Sequence, residues 1–139
     1  MKNTLNAGLR ATGRRLTRPR SAVLSVLERA THPLSASELH SRLRRAQVSI
    51  DLVTVYRTLS VLKELGLASQ CELHHEGQSR YELRVGKQHH HHIRCQLCGK
   101  IVDLLLCPLK KLQGLIEKET QFVVNEHSLE FSGLCPKCQ

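Results

Sequence analysis

Apolar side chains recur at three- and four-residue steps through three stretches of the first half of the chain, each with its own start or stop signal. In "TRPRSAVLSVLERA" the apolar face is Val23, Val26, Leu27 and Ala30, with Thr17 as cap and Pro19 where a first helical turn tolerates it. In "SASELHSRLRRA" Leu39 and Leu43 mark a short amphipathic helix, and Ser35 with Glu38 has the spacing of a capping box. "SIDLVTVYRTLSVLKELG" puts Leu52, Val55, Leu59 and Leu62 on one buried face, with Ser49 as cap and Gly66 as the C-terminal stop. Thr54, Tyr56, Arg57 and Ser60 then stand near the N-terminal half of the third helix, where a helix-turn-helix presents side chains to base edges. Beyond Gly66 the period becomes two: "LASQCEL" and "SRYELRV" alternate like strands around the polar turn "HHEGQ". Three helices and a hairpin predict a winged helix.

The second half is less regular. "KIVDLLL" reads as a buried strand, "CPLKKLQGLIEKE" as a helix with Leu109, Leu112 and Ile116 on one face, and "FVVNEHSLEFSGL" as one or two further strands. A sheet with one helix is a small α+β unit, so the whole chain is expected to be α+β. Its 139 residues suit one ordinary domain or two small ones, and with no Trp, two Phe and two Tyr the cores must be built from Leu, Val and Ile. A subdomain of that size requires a staple, and dimerising would complete its core.

Charge separates the halves further. Residues 1 to 70 hold 12 Lys+Arg against 4 Asp+Glu, a net of +8, while residues 71 to 139 hold 9 against 8, a net of +1. One basic half is the electrostatic footprint of a phosphate-binding module. No apolar run approaches the roughly 20 residues that span a bilayer, and "MKNTLNAGLRATGRR" lacks the apolar centre of a signal peptide. A cytoplasmic location without membrane contact is therefore expected.

In that compartment six cysteines are reduced thiols rather than disulfides, and four of them form two Cys-x-x-Cys pairs: Cys95 with Cys98, and Cys135 with Cys138. Two such pairs can set four thiolates at the corners of a tetrahedron, the requirement of a closed structural zinc site, one per chain. A redox Cys-x-x-Cys would explain one pair and leave the other idle. Just before the first pair stands "HHHH", residues 89 to 92. The run is internal, between two predicted strands, so it is no purification tag. In an extended strand successive side chains alternate, which puts His90 and His92 on one face and His89 and His91 on the other; two pairs imply two metal sites. Cys71 and Cys107 fall outside the pattern and read as small buried thiols rather than ligands.

The segments "GRRLTRPR", "HPLSASELH", "VSIDLVTVYRTLSVLKELGL", "SRYEL", "HHHHIRCQLCGKIVDL" and "NEHSLEFSGLCPKC" together resemble a ferric uptake regulator (Fur) family repressor almost from end to end. The resemblance implies a winged-helix DNA-binding domain over residues 1–83, a hinge near residue 84, and a zinc-stapled dimerisation and metal-sensing domain over 84–139. It implies a regulatory site on His32, Glu82, His90, His92 and Asp103, holding Fe(II), Mn(II) or Zn(II), and a second site on His89, His91 and His127. The helix glutamate that many members add to that second site falls here on Lys110. Tyr56 and Arg57 match the family's base-contacting pair, and Arg15 matches a basic residue that enters an adjacent minor groove. The partner implied is an A/T-rich inverted repeat in duplex DNA, bound by a homodimer.

The expected activity is metal-dependent transcriptional repression, most simply Fe(II)-responsive control of metal uptake genes. Peroxide-responsive and zinc-responsive repression are the alternatives within the family. A zinc-dependent enzyme is the rival from another class; the absence of a His-Glu-x-x-His helix and of a nucleophile motif in the sequence argues against it.

Overall fold

The computed structural model describes residues 17–73 and 77–139. Two compact units meet between Lys87 and Gln88. The first contains α1 (Arg18–Glu28), β1 (Leu34–Ser35), α2 (Ala36–Arg45), α3 (Leu52–Glu64), β2 (Ala68–Cys71) and β3 (Arg80–Leu83). The second contains β4 (His91–Cys95), β5 (Ile101–Leu104), α4 (Lys110–Thr120) and β6 (Glu130–Gly133). The mixed α+β class and the helix, helix, helix, hairpin order of the first unit are those the periodicities predict.

The three helices of the first unit converge because their apolar faces have nowhere else to go. Val23, Leu34, Leu39, Val55, Leu59 and Leu62 are fully enclosed, each contributing about 1.5–3 kcal/mol relative to an exposed side chain. The sheet that closes this core has the order β1-β3-β2 and is antiparallel, with Leu34 opposite Tyr81 and Ser69 opposite Glu82. β1, two residues long, is too short to leave a period in the sequence and is a product of the tertiary packing.

Helix ends follow local chemistry. The Ser35 hydroxyl accepts from the Glu38 N–H at 3.2 Å while Glu38 Oε2 accepts from the Ser35 N–H at 2.8 Å, a complete capping box. Arg80 on β3 donates to Glu38 at 2.7 Å and to the Pro33 carbonyl at 3.1 Å, tying sheet to helix. Thr17 occupies the start of α1, but its side chain makes no capping bond. The cap of α3 is Asp51 rather than Ser49: the helix begins at Leu52, so the Asp51 carboxylate is the group that reaches the Thr54 N–H, at 2.6 Å. Leu52, in the first turn, is 36% exposed rather than buried. α3 stops where Gly66 turns left-handed at φ +66°, a conformation that strains a residue with a Cβ.

Residues 84–87 are held to the first unit. The Arg84 N–H donates to the Leu67 carbonyl at 3.0 Å, and Lys87 Nζ reaches Glu82 Oε2 at 2.6 Å. The division between units consequently falls just beyond the hinge expected near residue 84.

In the second unit the sheet order is β5-β4-β6, with β4 antiparallel to β5 and parallel to β6. The parallel pair requires a crossover, and α4 lies within it. β5 is not the buried strand that "KIVDLLL" predicts. Val102 is 45% exposed and Leu105 74% exposed, because α4 buries none of its own residues and supplies no second layer. Of "FVVNEHSLEFSGL" only Glu130–Gly133 is strand. Apolar Leu112, Leu115, Ile116, Phe122, Val123 and Phe131 all remain exposed. No described helix is long and apolar enough to cross a membrane.

The capping box yields a pH dependence. Burial pushes the Glu38 carboxyl up, but the Ser35 N–H and Arg80 outweigh it and hold the group below its ordinary 4.5. A depressed carboxyl contributes stability that is present above the unfolded value and disappears as pH falls through the folded one. Urea unfolding midpoints should therefore drop below pH 4.5, and Glu38→Gln should flatten that drop while lowering the midpoint at neutral pH. An identical acid profile in the variant would place the titrating group elsewhere.

Candidate metal centres and nucleic-acid interface

β4 is the element around which the side chains able to hold a metal are organised. Cys95 ends it, and a tight turn through Gly99, at φ +73°, returns the chain to β5 with Cys98 at its corner. The Gly99 N–H donates to the Cys95 carbonyl at 3.0 Å, and at the other end of the chain the Cys138 N–H donates to the Cys135 carbonyl at 2.8 Å, so each Cys-x-x-Cys segment is closed by a backbone bond of its own. The four sulfurs of Cys95, Cys98, Cys135 and Cys138 lie within 4.8 Å of one another, with Cys98 Sγ 3.7 Å from Cys135 Sγ. A tetrahedron with metal–sulfur bonds of about 2.3 Å has edges of about 3.8 Å, so the spacing fits zinc.

Electrostatics agree with the geometry. The Cys95 thiol is lowered to about 6 because the backbone N–H groups of Cys98, Cys135 and Leu97 stabilise its thiolate against the cost of burial. Cys138 is pushed up, chiefly by hydrogen bonding to the Cys135 sulfur and by burial. Closely packed sulfurs share protons that a dication would displace, which is the donor chemistry of a four-thiolate zinc site.

β4 begins at His91, so His89 and His90 stand just before the strand expected to contain all four histidines, yet the two sides of the run still carry different donors. His90 and His92 have ring centroids 4.9 Å apart, and His92 Nε2 lies 3.5 Å from Oδ1 of Asp103, directly opposite on β5. His90 Nδ1 donates to the Gln88 carbonyl at 2.7 Å, which puts the lone pair of the neutral ring on Nε2, the atom through which it would ligate. These three residues gather their donor atoms within 4.8 Å. On the other face His89 Nε2 stands 3.1 Å from His91 Nε2 and 3.0 Å from His127 Nε2. His91 is held below its ordinary value by burial and by its histidine neighbours, His89 first, so its ring is neutral near pH 7.

Cys107 is not the buried thiol that its sequence context suggests. It is half-buried, with its sulfur 3.3 Å from His127 Nε2. The signal that points to it is positional: a thiol stands three residues before Lys110, where the expected glutamate is missing.

Glu82 and His32 belong to the first unit. Glu82 is buried on β3, where Ser69 Oγ lies 3.5 Å and Cys71 Sγ 3.9 Å from its Oε1. Cys71 is buried, as expected of a small core thiol. His32 is half-buried, with Nδ1 3.2 Å from the Thr31 hydroxyl.

On α3 the open face carries Val53, Tyr56, Arg57 and Ser60, with Tyr56 49% exposed. Thr54 is half-buried and its hydroxyl donates to Asp51 Oδ2 at 3.0 Å, so it is engaged in the cap. Arg15 lies outside the described residues.

Comparison with known proteins agrees with this architecture. The model of the ferric uptake regulator family matches residues 11–132. The peroxide-responsive repressor PerR of Staphylococcus aureus is 34% identical over 96% of this chain and 88% of its own. The Vibrio cholerae ferric uptake regulator superposes with a TM-score of 0.80 at 30% identity, covering 94% of this chain and 98% of that one. The Helicobacter pylori regulator, a protein with three functional metal binding sites, superposes with a TM-score of 0.79 at 28% identity over 98% and 89% of the two chains. The chain belongs to the ferric uptake regulator family and is a metal-dependent, DNA-binding transcriptional repressor of that family.

If the cysteine cluster is the staple, Cys98→Ser should lower zinc content by one ion per chain and destabilise residues 88–139, since metal binding there is folding free energy. Atomic absorption together with thermal unfolding measures both. A fully zinc-loaded, equally stable variant would remove the site.

Proposed function

We propose that this repressor responds to Fe(II), binding an A/T-rich inverted repeat as a homodimer when the regulatory site is filled. The observation that carries the reading is the donor set on one face of β4 and β5: two imidazoles and a carboxylate, His90, His92 and Asp103, within 4.8 Å of one another and with no thiolate among them. Nitrogen and oxygen donors of that kind suit Fe(II) and Mn(II), while sulfur would favour zinc. His32 and Glu82 are proposed as further ligands of the same ion on the family pattern alone. A second ion is proposed on His89, His91 and His127, and one zinc per chain on the four cysteines. Bound at the regulatory site, the ion acts as corepressor by stabilising the conformer whose recognition helices match two half-sites.

Dimerisation is supported by the exposed apolar set Leu112, Leu115, Ile116, Phe122, Val123 and Phe131, more than a monomer of this size leaves open without a purpose. DNA contact by Tyr56 and Arg57 is supported by their exposure on α3 and by the charge of the first 70 residues. Arg15 is proposed for the minor groove on the family pattern, and Thr54 would support the interface by holding the start of α3. The protein is a regulator without catalytic activity in this reading, and acts in the cytoplasm.

Two observations favour other signals. The thiol of Cys71, 3.9 Å from Glu82, brings sulfur beside a proposed ligand and would suit Zn(II). The likeness to a peroxide-responsive repressor favours an iron site that responds to oxidant.

Anaerobic titration with Fe(II), Mn(II) or Zn(II), read as operator affinity by fluorescence anisotropy, tests the proposal. Fe(II) should raise affinity, His90→Ala should abolish the rise while leaving the cysteine zinc in place, and Cys71→Ser should leave the Fe(II) response unchanged. Activation by Zn(II) alone, lost in Cys71→Ser, would overturn the iron reading in favour of zinc. In the same assay Arg57→Ala should narrow discrimination between operator and random duplex by about 1–3 kcal/mol. Unchanged discrimination would move base recognition off α3.

A further inference from the structure

We propose that Cys107 completes a second metal centre with His89, His91 and His127, a three-nitrogen, one-sulfur site for a thiophilic dication such as Zn(II) or Co(II), and that this centre clasps the segments flanking α4 to β4. The inference rests on the proposal that the three histidines bind an ion, and goes beyond it in naming the fourth donor, the class of metal and the mechanical role.

Four donor atoms from three separate segments converge: His91 at the start of β4 with His89 two residues before it, Cys107 just before α4, and His127 well after it. Three edges of this cluster measure 3.1 Å between His89 and His91, 3.0 Å between His89 and His127, and 3.3 Å between Cys107 and His127. A zinc tetrahedron with Zn–N of about 2.05 Å and Zn–S of about 2.3 Å has edges of about 3.3 to 3.6 Å, close to these. Hydrogen bonding among the side chains is a poorer account. A ring nitrogen carries either a proton or one lone pair, so His89 Nε2 cannot serve two imidazole nitrogens well at the same time. A single cation serves all four donors.

The sulfur determines the metal class. Lys110, exposed and cationic, stands where other members put a carboxylate and cannot ligate as an ammonium. Cys107 replaces that oxygen donor with a thiolate, which shifts preference from Fe(II) and Mn(II) toward zinc. The centre would thus differ in metal from the His90, His92 and Asp103 face only one residue away along β4.

Its mechanical role follows from how little else holds α4. The helix buries no side chain. It is tied instead to the segment that follows it, Gln113 Nε2 donating to the Val124 carbonyl at 2.9 Å and Glu117 Oε1 accepting from the Val124 N–H at 2.9 Å. Cys107 and His127 lie at the two ends of this helix-and-loop unit, and the shared ion fastens both ends to the sheet.

The test uses full-length protein carrying one zinc per chain on the four cysteines, titrated anaerobically with Co(II). Wild type should develop a sulfur-to-cobalt charge-transfer band in the near ultraviolet together with visible bands of tetrahedral intensity. Cys107→Ser should lose the charge-transfer band and weaken binding of that ion by roughly 100-fold or more, since even outer-shell changes at metal sites cost about 10–100-fold. Cys107→Asp, which restores a ligand without sulfur, should retain the ion and lack the band, and this rescue separates ligation from a merely structural role. Amide exchange over residues 107–127 should slow when the ion is added to wild type and not to Cys107→Ser. If His127→Ala takes up as much Co(II) as wild type, the three-histidine site is itself wrong. If His127→Ala loses one ion but Cys107→Ser keeps the wild-type spectrum, the thiolate assignment alone fails.

Discussion

Residues 88–139 bury only His91, His92 and Cys95, so this unit has almost no apolar interior by which to hold itself together. Everything else in the unit follows from that shortage. Four cysteine sulfurs at tetrahedral spacing bring the end of β4 to the C-terminal knuckle, and a metal held there would supply the cohesion that side-chain burial supplies in the first unit. The apolar residues left exposed on α4, on β5 and around Phe122 are the surface that a second chain would cover.

Beside those cysteines, the alternation of His91 and His92 at the start of β4 sorts the histidine run. His92 faces Asp103 across the sheet, and His91 faces His89 and His127. Neighbouring residues thus enter chemically distinct environments, one with a carboxylate and one with a thiol. A shift of one residue along β4 would exchange them, so the register of the pairing with β5 controls which donor groups each face presents.

The first unit is built on the opposite principle. Its Leu and Val side chains enclose one another, the starts of its second and third helices are capped by Ser35 with Glu38 and by Asp51, and one face of α3 is left open to carry Tyr56 and Arg57. Most of the chain's positive charge lies in the same half, which is where attraction to phosphates is useful to a DNA-binding regulator.

Features set by nearest neighbours along the chain were legible in the sequence. The helices, the capping box, the Gly66 stop, the hairpin strands, the cysteine pairs and the division of the histidines all depend on spacings of two to four residues, or on matched pairs of identical ligands. What depended on distant contacts was not legible. Ser49 and Asp51 are both capable caps, and only the true start of α3 selects Asp51. β5 reads as buried because its composition is apolar, yet burial requires a covering layer that α4 does not supply. Cys107 has only Lys110, three residues on, to mark it, since the side chains gathered around it stand 16, 18 and 20 residues away at His91, His89 and His127. The antiparallel pairing that sets Leu104 opposite His91 places Cys107 three residues on, and the parallel pairing of β4 with β6 draws the chain back so that His127 joins them.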